Sequence, residues 1–594
     1  MSETASNDAV SQAQRRVLRA LQSGAFDDAR NALALLDGIA AQAPHTLYLH
    51  GLLALAEDDA SAAREPLQRA AARLPSDAGV QANWSLCLQR LGDHEAALAA
   101  ADRALALAPQ HADGHYNRAL ILLALNRHAE AAAALNRCVA LAPAQAQAWL
   151  RLGQVEHARG QLLAAEIALR RARALRPDDA ATAVALAAQL YDAGAFPEAL
   201  EQADAACRLQ PDRIEAHLQR AHALRRLGRL DESADACEHA LALDPHHADT
   251  RKARGLLHQM QNRLAEAAVD LAAAATVRFA PGIDNPHAGM RELRRTSRAK
   301  LRHDIEQFAH LERGKVLAQA AALRAAHEDA LARLPPTARA PDTVDLPAPL
   351  LRDLAGRYNR LHHLAPAPAL PGGALDPGLD GAAIERDYFD RAPGITWIDN
   401  LLRPEALAAL RRYCMESTFW FDFHHANGYL GAFFEDGFAA PLLLQIAEDL
   451  RRALPNIFKD YPLTQLWAFK YDSTLDGIEL HADIAAVNLN FWLTPDDANL
   501  DPASGGLVVW DMAAPPEWSF DEFNTSSAAG QARIQQFLQR SGAQAVRVPY
   551  RQNRAVLFDS DLFHRTDTIR FRDGYENRRI NVTMLFGQRK GRIR

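Results

Sequence analysis

The chain has 594 residues, of which 49% are hydrophobic and 23% charged, with a formal net charge of -7. That balance belongs to a globular protein of several domains, and without any long Lys/Arg run it excludes the electrostatic footprint of a nucleic-acid or anionic-membrane binder. The opening residues contain no apolar leader, no stretch of about 18 apolar residues occurs, and five scattered cysteines lack C-x-x-C spacing, so a cytoplasmic protein with reduced thiols and no membrane partner is expected.

Taken from the N-terminus, the first organised feature is a repeat. Pro75, Pro109, Pro143, Pro177, Pro211 and Pro245 follow one another at a constant step of 34 residues. Small residues keep the same step at Gly51, Ser85, Ala119, Gly153, Ala187, Ala221 and Gly255, and again at Ala29, Ala63, Ala97, Ala131, Ala165, Ala199, Ser233 and Ala267. Helices cross closely only where both side chains are small. Gly24, Asp58, Gly92, Asn126, Gly160, Gly194, Gly228 and Asn262 lie in register between the paired helices, and these residue types accept the left-handed backbone of a helix end. Residues 10–281 therefore resemble a tetratricopeptide superhelix of about eight repeats, a solenoid that implies a bound protein or peptide partner. Asn83, Asn117, Arg151 and Gln219 share one phase of the first helices, as a peptide-binding ladder would, but Ala185 and Ala253 interrupt it and no site is assigned there.

The tripeptide His-Ala-Asp occurs three times, at His111, His247 and His481, and a fourth His-x-Asp is formed by His327 and Asp329. Such triplets arise by chance roughly once or twice in a chain of this length, so context decides. His111 and His247 stand just after repeat prolines, where Asp113 and Asp249 are expected as N-caps. His327 and Asp329 fall in an expected helical stretch over 299–334, where positions i and i+2 diverge.

Residues 282–390 read as a helical and then Pro/Gly/Ala-rich connection, with a short helical patch ending at His362 and His363, a pair expected at the surface. From residue 391 onward the texture changes to aromatics, β-branched residues and turn signals. A strand, turn and amphipathic helix open the region, and five runs follow as strands: 464–472, 487–495, 505–512, 554–564 and 578–587. A C-terminal jelly roll after an all-α N-terminal array is the expected architecture. At the start of an extended segment His481 and Asp483 would face one side together, and His564, at the end of a later apolar strand, could supply a third ligand. Two histidines and one carboxylate on one face of an octahedron are the ligand set of non-haem iron(II) oxygenases.

With these residues in this order, 391–594 resembles the iron(II)- and 2-oxoglutarate-dependent dioxygenases, prolyl-hydroxylase-like in retaining Asp483. The resemblance implies a double-stranded β-helix, a metal site of His481, Asp483 and His564, and an arginine on the last strand for the distal carboxylate of 2-oxoglutarate. The family's Arg-x-Ser pattern maps onto Arg579 and Asn581, with Arg578 as the competing neighbour; Tyr471 and Asn490 are further candidates for the cosubstrate pocket. Iron(II), with 2-oxoglutarate and dioxygen as cosubstrates, is implied, and ascorbate is compatible as an accessory reductant. The expected activity is hydroxylation of a protein or peptide held by the repeats, with prolyl hydroxylation the nearer analogy. The alternatives are a small-molecule or glycan-tailoring oxygenase whose repeats serve assembly, and a non-catalytic scaffold.

Overall fold

The computed structural model describes residues 3–588 apart from 283–292, 335–342, 392, 425–427, 460 and 476. The start of the Pro-rich connection and the last residues of the C-terminal span, 589–594, thus lie outside the described residues. Two compact units divide the chain, 1–233 and 234–594.

Sixteen helices run from α1 (Glu3–Gln22) to α15 (Ala248–Met260) and α16 (Leu264–Arg278). The helical texture begins a few residues before residue 10. All eight turn residues of the 34-residue register, Gly24 to Asn262, have left-handed φ between 57° and 79°. In the small-residue columns a Cβ on Gly51, Gly153 or Gly255 would lie 2.4, 2.4 or 2.7 Å from the Cγ of Leu67, Leu169 or Leu271, so the partner helix closes on the glycine. Ser85 uses its size differently, donating to the Ala97 carbonyl at 2.7 Å, and Ser233 does the same to Ala221 at 2.8 Å. The caps after two repeat prolines differ from expectation. His111 and His247 are themselves the N-caps, accepting through Nδ1 from Gly114 N and Thr250 N at 2.9 and 3.3 Å, while Asp113 and Asp249 sit in the first turn. An imidazole Nδ1 reaches the same amide as a carboxylate oxygen, and the aspartates remain favourable at the positive helix end. Of the one-phase polar residues, Asn83 is spent on the Tyr48 hydroxyl and the Gly79 carbonyl, both at 2.9 Å.

The second unit holds α15 and α16 together with the connection and all the strands. After β1 (Arg295–Thr296) come α17 (Arg298–Arg313) and α18 (Ala320–Arg333), then β2 (Val344–Asp345), α19 (Ala348–Asp353) and α20 (Gly381–Asp390). The expected single helix over 299–334 is broken because Gly314 ends α17 and Lys315 adopts φ +54°. His327 is fully buried in α18, with Nε2 3.8 Å from Asp304, whose carboxylate is held by Lys300 Nζ at 2.7 Å and by His303 Nδ1 at 3.0 Å. His362 and His363 are half-buried instead of surface residues. The His362 ring packs edge-on to Phe308 and bonds the Arg357 carbonyl at 2.7 Å.

The remaining elements are β3 (Ile395–Ile398), α21 (Pro404–Glu416), β4 (Leu430–Phe433), α22 (Pro441–Ala453), α23 (Pro455–Phe458), β5 (Leu463–Tyr471), β6 (Thr474–Leu475) and β7 (Val487–Trp492). After them come β8 (Leu507–Ala513), α24 (Phe520–Phe523), α25 (Ala528–Arg540), β9 (Ala545–Val548), β10 (Ala555–Asp559), β11 (Leu562–Thr566), β12 (Ile569–Arg570) and β13 (Arg579–Phe586). Among the described residues they form an antiparallel six-stranded sheet, ordered β3-β10-β7-β13-β5-β4, and a three-stranded sheet, β11-β8-β9. The run 554–564, read as one strand, is two. A reversal at Ser560 and Asp561 sends β10 into the large sheet and β11 into the small one. One face of the large sheet is buried on α21, α22 and Leu264, Leu271 and Ala275 of α16. Its other face shares a core with the small sheet through Tyr471, Trp492, Val509, Val548 and Phe558.

The packing generates two predictions. Gly38 has open space around it, so Gly38→Ala gains helix propensity and stabilises by about 0.4–1 kcal/mol, whereas Gly153→Ala meets Leu169 and costs roughly 1–3 kcal/mol despite the same propensity gain. Urea midpoints of the two variants should move in opposite directions. The second concerns His303 and His327, whose pKa values burial pushes below the ordinary histidine value. Below about pH 6.5 the unfolded chain takes up protons that the folded one refuses, so their contribution is complete above that pH and is lost progressively below it. Urea unfolding should show stability falling from pH 7.5 to pH 5.5, and His303→Gln should flatten that slope.

Candidate metal and diacid site

The His481–Asp483 segment is not a strand. Its only ladder contact among the described residues is a single antiparallel bridge, His481 to His564, in which His481 N donates to His564 O at 3.0 Å and His564 N returns to His481 O at 2.8 Å. The chain then bends, with Ala482 N bound to Phe523 O and Asp483 N to Ser560 O at 3.1 and 3.2 Å, before β7 begins. His564 lies in the middle of β11 instead of at the end of a longer strand.

The result is the one cluster of three or more His, Cys, Asp or Glu side chains found among the described residues with ligand atoms this close. One atom each from His481, Asp483 and His564 lies within 4.8 Å of the others. Each imidazole turns Nδ1 to a backbone carbonyl, Glu479 O at 2.7 Å and Leu562 O at 3.1 Å, which leaves both Nε2 atoms facing the Asp483 carboxylate at 3.7 and 3.5 Å. A carbonyl partner on Nδ1 selects the tautomer whose Nε2 carries a lone pair, as metal ligation requires. Burial, aided by the neighbouring His564, pushes His481 down to about 4, so it is neutral near pH 7. Burial alone would raise Asp483; the hydrogen bond and field of the two histidines and the Asn488 amide outweigh it and hold the carboxyl below its ordinary value. A neutral His481 beside an ionised Asp483 is the protonation state that a divalent cation needs from these two groups.

Behind this cluster lies an inner chamber of about 40 Å³ lined by Tyr471, Asn490, Thr566, Arg579, Asn581 and Thr583 among others. Arg579 starts β13 and is 1% exposed. Its Nε donates to Gly505 O at 2.7 Å and Nη2 to Gly506 O at 3.4 Å, its guanidinium carbon lies 4.9 Å from the centre of the Tyr471 ring, and Nη1 has no partner among the described residues. The two glycines fit only as glycines. Gly505 has φ +81°, and a Cβ on Gly506 would lie 2.0 Å from Val548 O. Arg578 points elsewhere, to Glu306 of α17 at 2.7 Å and Asp472 at 3.6 Å.

Every residue expected at the site thus lies in or around one chamber, though Asn490 is already engaged. It donates to Asn488 Oδ1 at 2.7 Å and accepts from Asn581 and Thr583 at 2.8 and 2.7 Å. Asn488, Thr566 and Thr583 were not foreseen. The signal for the first was the spacing in "VNLNFW", two asparagines at i and i+2 on one face of an otherwise apolar strand.

The chamber shares Trp467, Phe469, Ile478, His481 and Asp483 with the wall of an outer cleft of about 680 Å³. Leu256 and Gln259 of α15 form part of its wall. Gln259 is anchored by donating to Thr464 O at 2.7 Å, and Lys252 pairs with Asp436 at 2.8 Å. Tyr429, Phe433, Phe434 and Phe520 add further aromatic surface, and no Lys or Arg lines the cleft among the described residues.

Tetratricopeptide repeat models match residues 86–146 and 214–247. Solved structures similar to the chain include YrrB, described as a tetratricopeptide protein with an unusual peptide-binding site, at 21% identity over 32% of this chain and 98% of its own, TM-score 0.30. A tetratricopeptide repeat protein from Parabacteroides merdae matches at 17% identity over 39% of this chain and 92% of its own, TM-score 0.34. The protein MamA matches at 22% over 29% and 93%, TM-score 0.27. No curated protein matches the chain. No described helix is long and apolar enough to cross a membrane. With the 34-residue register and its left-handed turns, the two family matches identify the N-terminal helical array as tetratricopeptide repeats, the kind of module that binds protein or peptide partners.

Proposed function

We propose that the C-terminal region is a jelly-roll oxygenase that uses iron(II) and 2-oxoglutarate to hydroxylate a protein or peptide recruited by the repeats. The observation that carries this reading is the joining of two half-sites, a cluster of two histidines and an aspartate at one end of a buried chamber and the unpartnered Arg579 Nη1 inside it. A buried, unpartnered guanidinium N–H calls for an anion, and a carboxylate suits its planar geometry. The donor set suits iron(II), and the orphaned Arg579 Nη1 would suit the distal carboxylate of a diacid. When bound, iron(II) with 2-oxoglutarate and dioxygen supplies oxidative C–H hydroxylation, with succinate and carbon dioxide as coproducts.

The chain's own contribution is positioning. His481, Asp483 and His564 would hold the metal, and a three-residue protein set would leave positions for ligands that are not protein. Arg579 fixes the far carboxylate, with its other N–H groups tied to Gly505 and Gly506 so that it cannot turn away. Trp467, Phe469 and Ile478 line both chamber and cleft, and their apolar surface would disfavour water beside the metal. A cleft of this size, walled partly by a repeat helix and with no Lys or Arg in its wall among the described residues, supports an apolar peptide in preference to an acidic metabolite. A second reading, a binding scaffold without catalysis, is favoured by the family matches, which touch only the repeats.

Anaerobic addition of iron(II) and 2-oxoglutarate to the purified chain should give a visible metal-to-ligand charge-transfer band that His481→Ala abolishes. A folded wild type with no band would put the scaffold reading first. Arg579→Leu should weaken 2-oxoglutarate binding by about 10- to 100-fold, the loss of a charge-assisted hydrogen bond. Arg578→Gln should leave that affinity near wild type while lowering the melting temperature, because its partner is Glu306.

A further inference from the structure

The inner faces of β7 and β13 carry a continuous polar chain through an otherwise apolar core. It begins at the metal carboxylate, where Asn488 Nδ2 donates to Asp483 Oδ2 at 2.7 Å. Asn490 Nδ2 donates to Asn488 Oδ1 at 2.7 Å, and Asn581 Nδ2 and Thr583 Oγ1 donate to Asn490 Oδ1 at 2.8 and 2.7 Å. All four side chains belong to residues at most 5% exposed. Strand register builds the stripe: Asn490 faces Thr583 across the β7–β13 pair, and Asn488 and Asn581 are each two residues along on the same face.

The direction of this chain is dictated from one end. An ionised carboxylate only accepts, so Asn488 must present its amino group to Asp483 and its carbonyl to Asn490. Asn490 must then present its amino group to Asn488 and its carbonyl to the donors on β13. Every amide is thereby fixed in one of its two orientations, and the last, Asn581, leaves Oδ1 without a partner among the described residues. An apolar strand pair would pack here without the desolvation that buried amides incur, so packing gives no reason for the stripe.

We propose that Asn488, Asn490 and Thr583 are positioning residues for the metal site. By holding Asp483 Oδ2 through a hydrogen-bond chain of fixed polarity, they set the plane of the carboxylate relative to the two Nε2 atoms 3.7 and 3.5 Å away. Asn490 and Thr583 act on Asp483 only through Asn488, so their effect on metal affinity separates this role from simple packing. The proposal rests on the metal-site reading above.

The test is cobalt(II) binding to the full-length, metal-free chain, followed by the visible absorption of the bound ion, with thermal melting of each variant recorded alongside. Asn488→Leu, which removes the donor at similar size, should raise the cobalt Kd about 10- to 100-fold, as loss of an outer-shell partner does. Asn490→Asp, which keeps the shape but turns the donor facing Asn488 into an acceptor and so competes with Asp483 for the Asn488 amino group, should do likewise and alter the spectrum of bound cobalt. Thr583→Val, the mildest change and the farthest along the chain from Asp483, should raise Kd on the order of fivefold, one hydrogen bond's worth, and it carries the test if the asparagine variants fail to fold. Folded variants whose cobalt Kd all stay within about twofold of wild type, while wild type binds and His481→Ala does not, would overturn the positioning role alone. A wild type that takes up no cobalt, or a His481→Ala variant that takes up as much, overturns the metal reading and this proposal together.

Discussion

The C-terminal site depends on one reciprocal pair of backbone hydrogen bonds, His481 to His564 and back. Neither residue lies near the other in sequence, and the His481 segment has no other ladder contact among the described residues to hold it. The bridge sets the register of the loop before β7 against β11, and a slip by one residue would turn an imidazole to the opposite face. Once the register is set, carbonyls two residues away on each chain capture the Nδ1 atoms, and both rings present Nε2 to the same carboxylate. The geometry of the cluster is thus a consequence of main-chain pairing, with side-chain hydrogen bonds selecting only tautomer and angle.

The same logic divides the labour between adjacent arginines. At the start of β13 successive side chains point to opposite faces, so Arg578 and Arg579 cannot share a destination. The connection fills the outer position: Glu306 on α17 takes Arg578, and the neighbouring buried amine Lys470 bonds the Cys414 carbonyl and Tyr575 hydroxyl at 3.0 and 2.8 Å. Arg579 is left to the inner face, where glycine carbonyls use part of its donor set and a cage of Tyr471, Trp492 and Tyr550 holds its plane. A region that composition marks as a linker therefore serves as a packed wall of the unit that holds the site.

The last repeat is also part of that unit. Leu264, Leu271 and Ala275 of α16 belong to the core beneath the large sheet, and α15 is pinned by Gln259 and Lys252 beside the outer cleft. Leu256 and Gln259 of α15 thus share one cleft wall with His481 and Asp483.

Periodic features were legible in the sequence because they are local. The eight left-handed turns, the small-residue columns and β3, β5, β7 and β13 of the large sheet each depend on residues a few positions apart, and their residue types declare them, whereas the short β4 was not foreseen. The residues that gather at the chamber were legible as well, since His-x-Asp followed by a distant His and a terminal-strand arginine is a chemical pattern. Features set by distant partners were not. The reversal at Ser560 and Asp561 that gives β10 and β11 to different sheets, the burial of His327 and the half-burial of His362 depended on tertiary neighbours, whereas the helix break at Gly314 and Lys315 and the His111 and His247 caps are local and turn on backbone detail that residue type alone does not declare. The choice between Arg578 and Arg579 and the asparagine chain behind Asp483 also depended on tertiary neighbours. Which face of a strand is inside, and which donor meets which acceptor across two strands, is decided only when distant segments pair, and that pairing is the work of the tertiary fold.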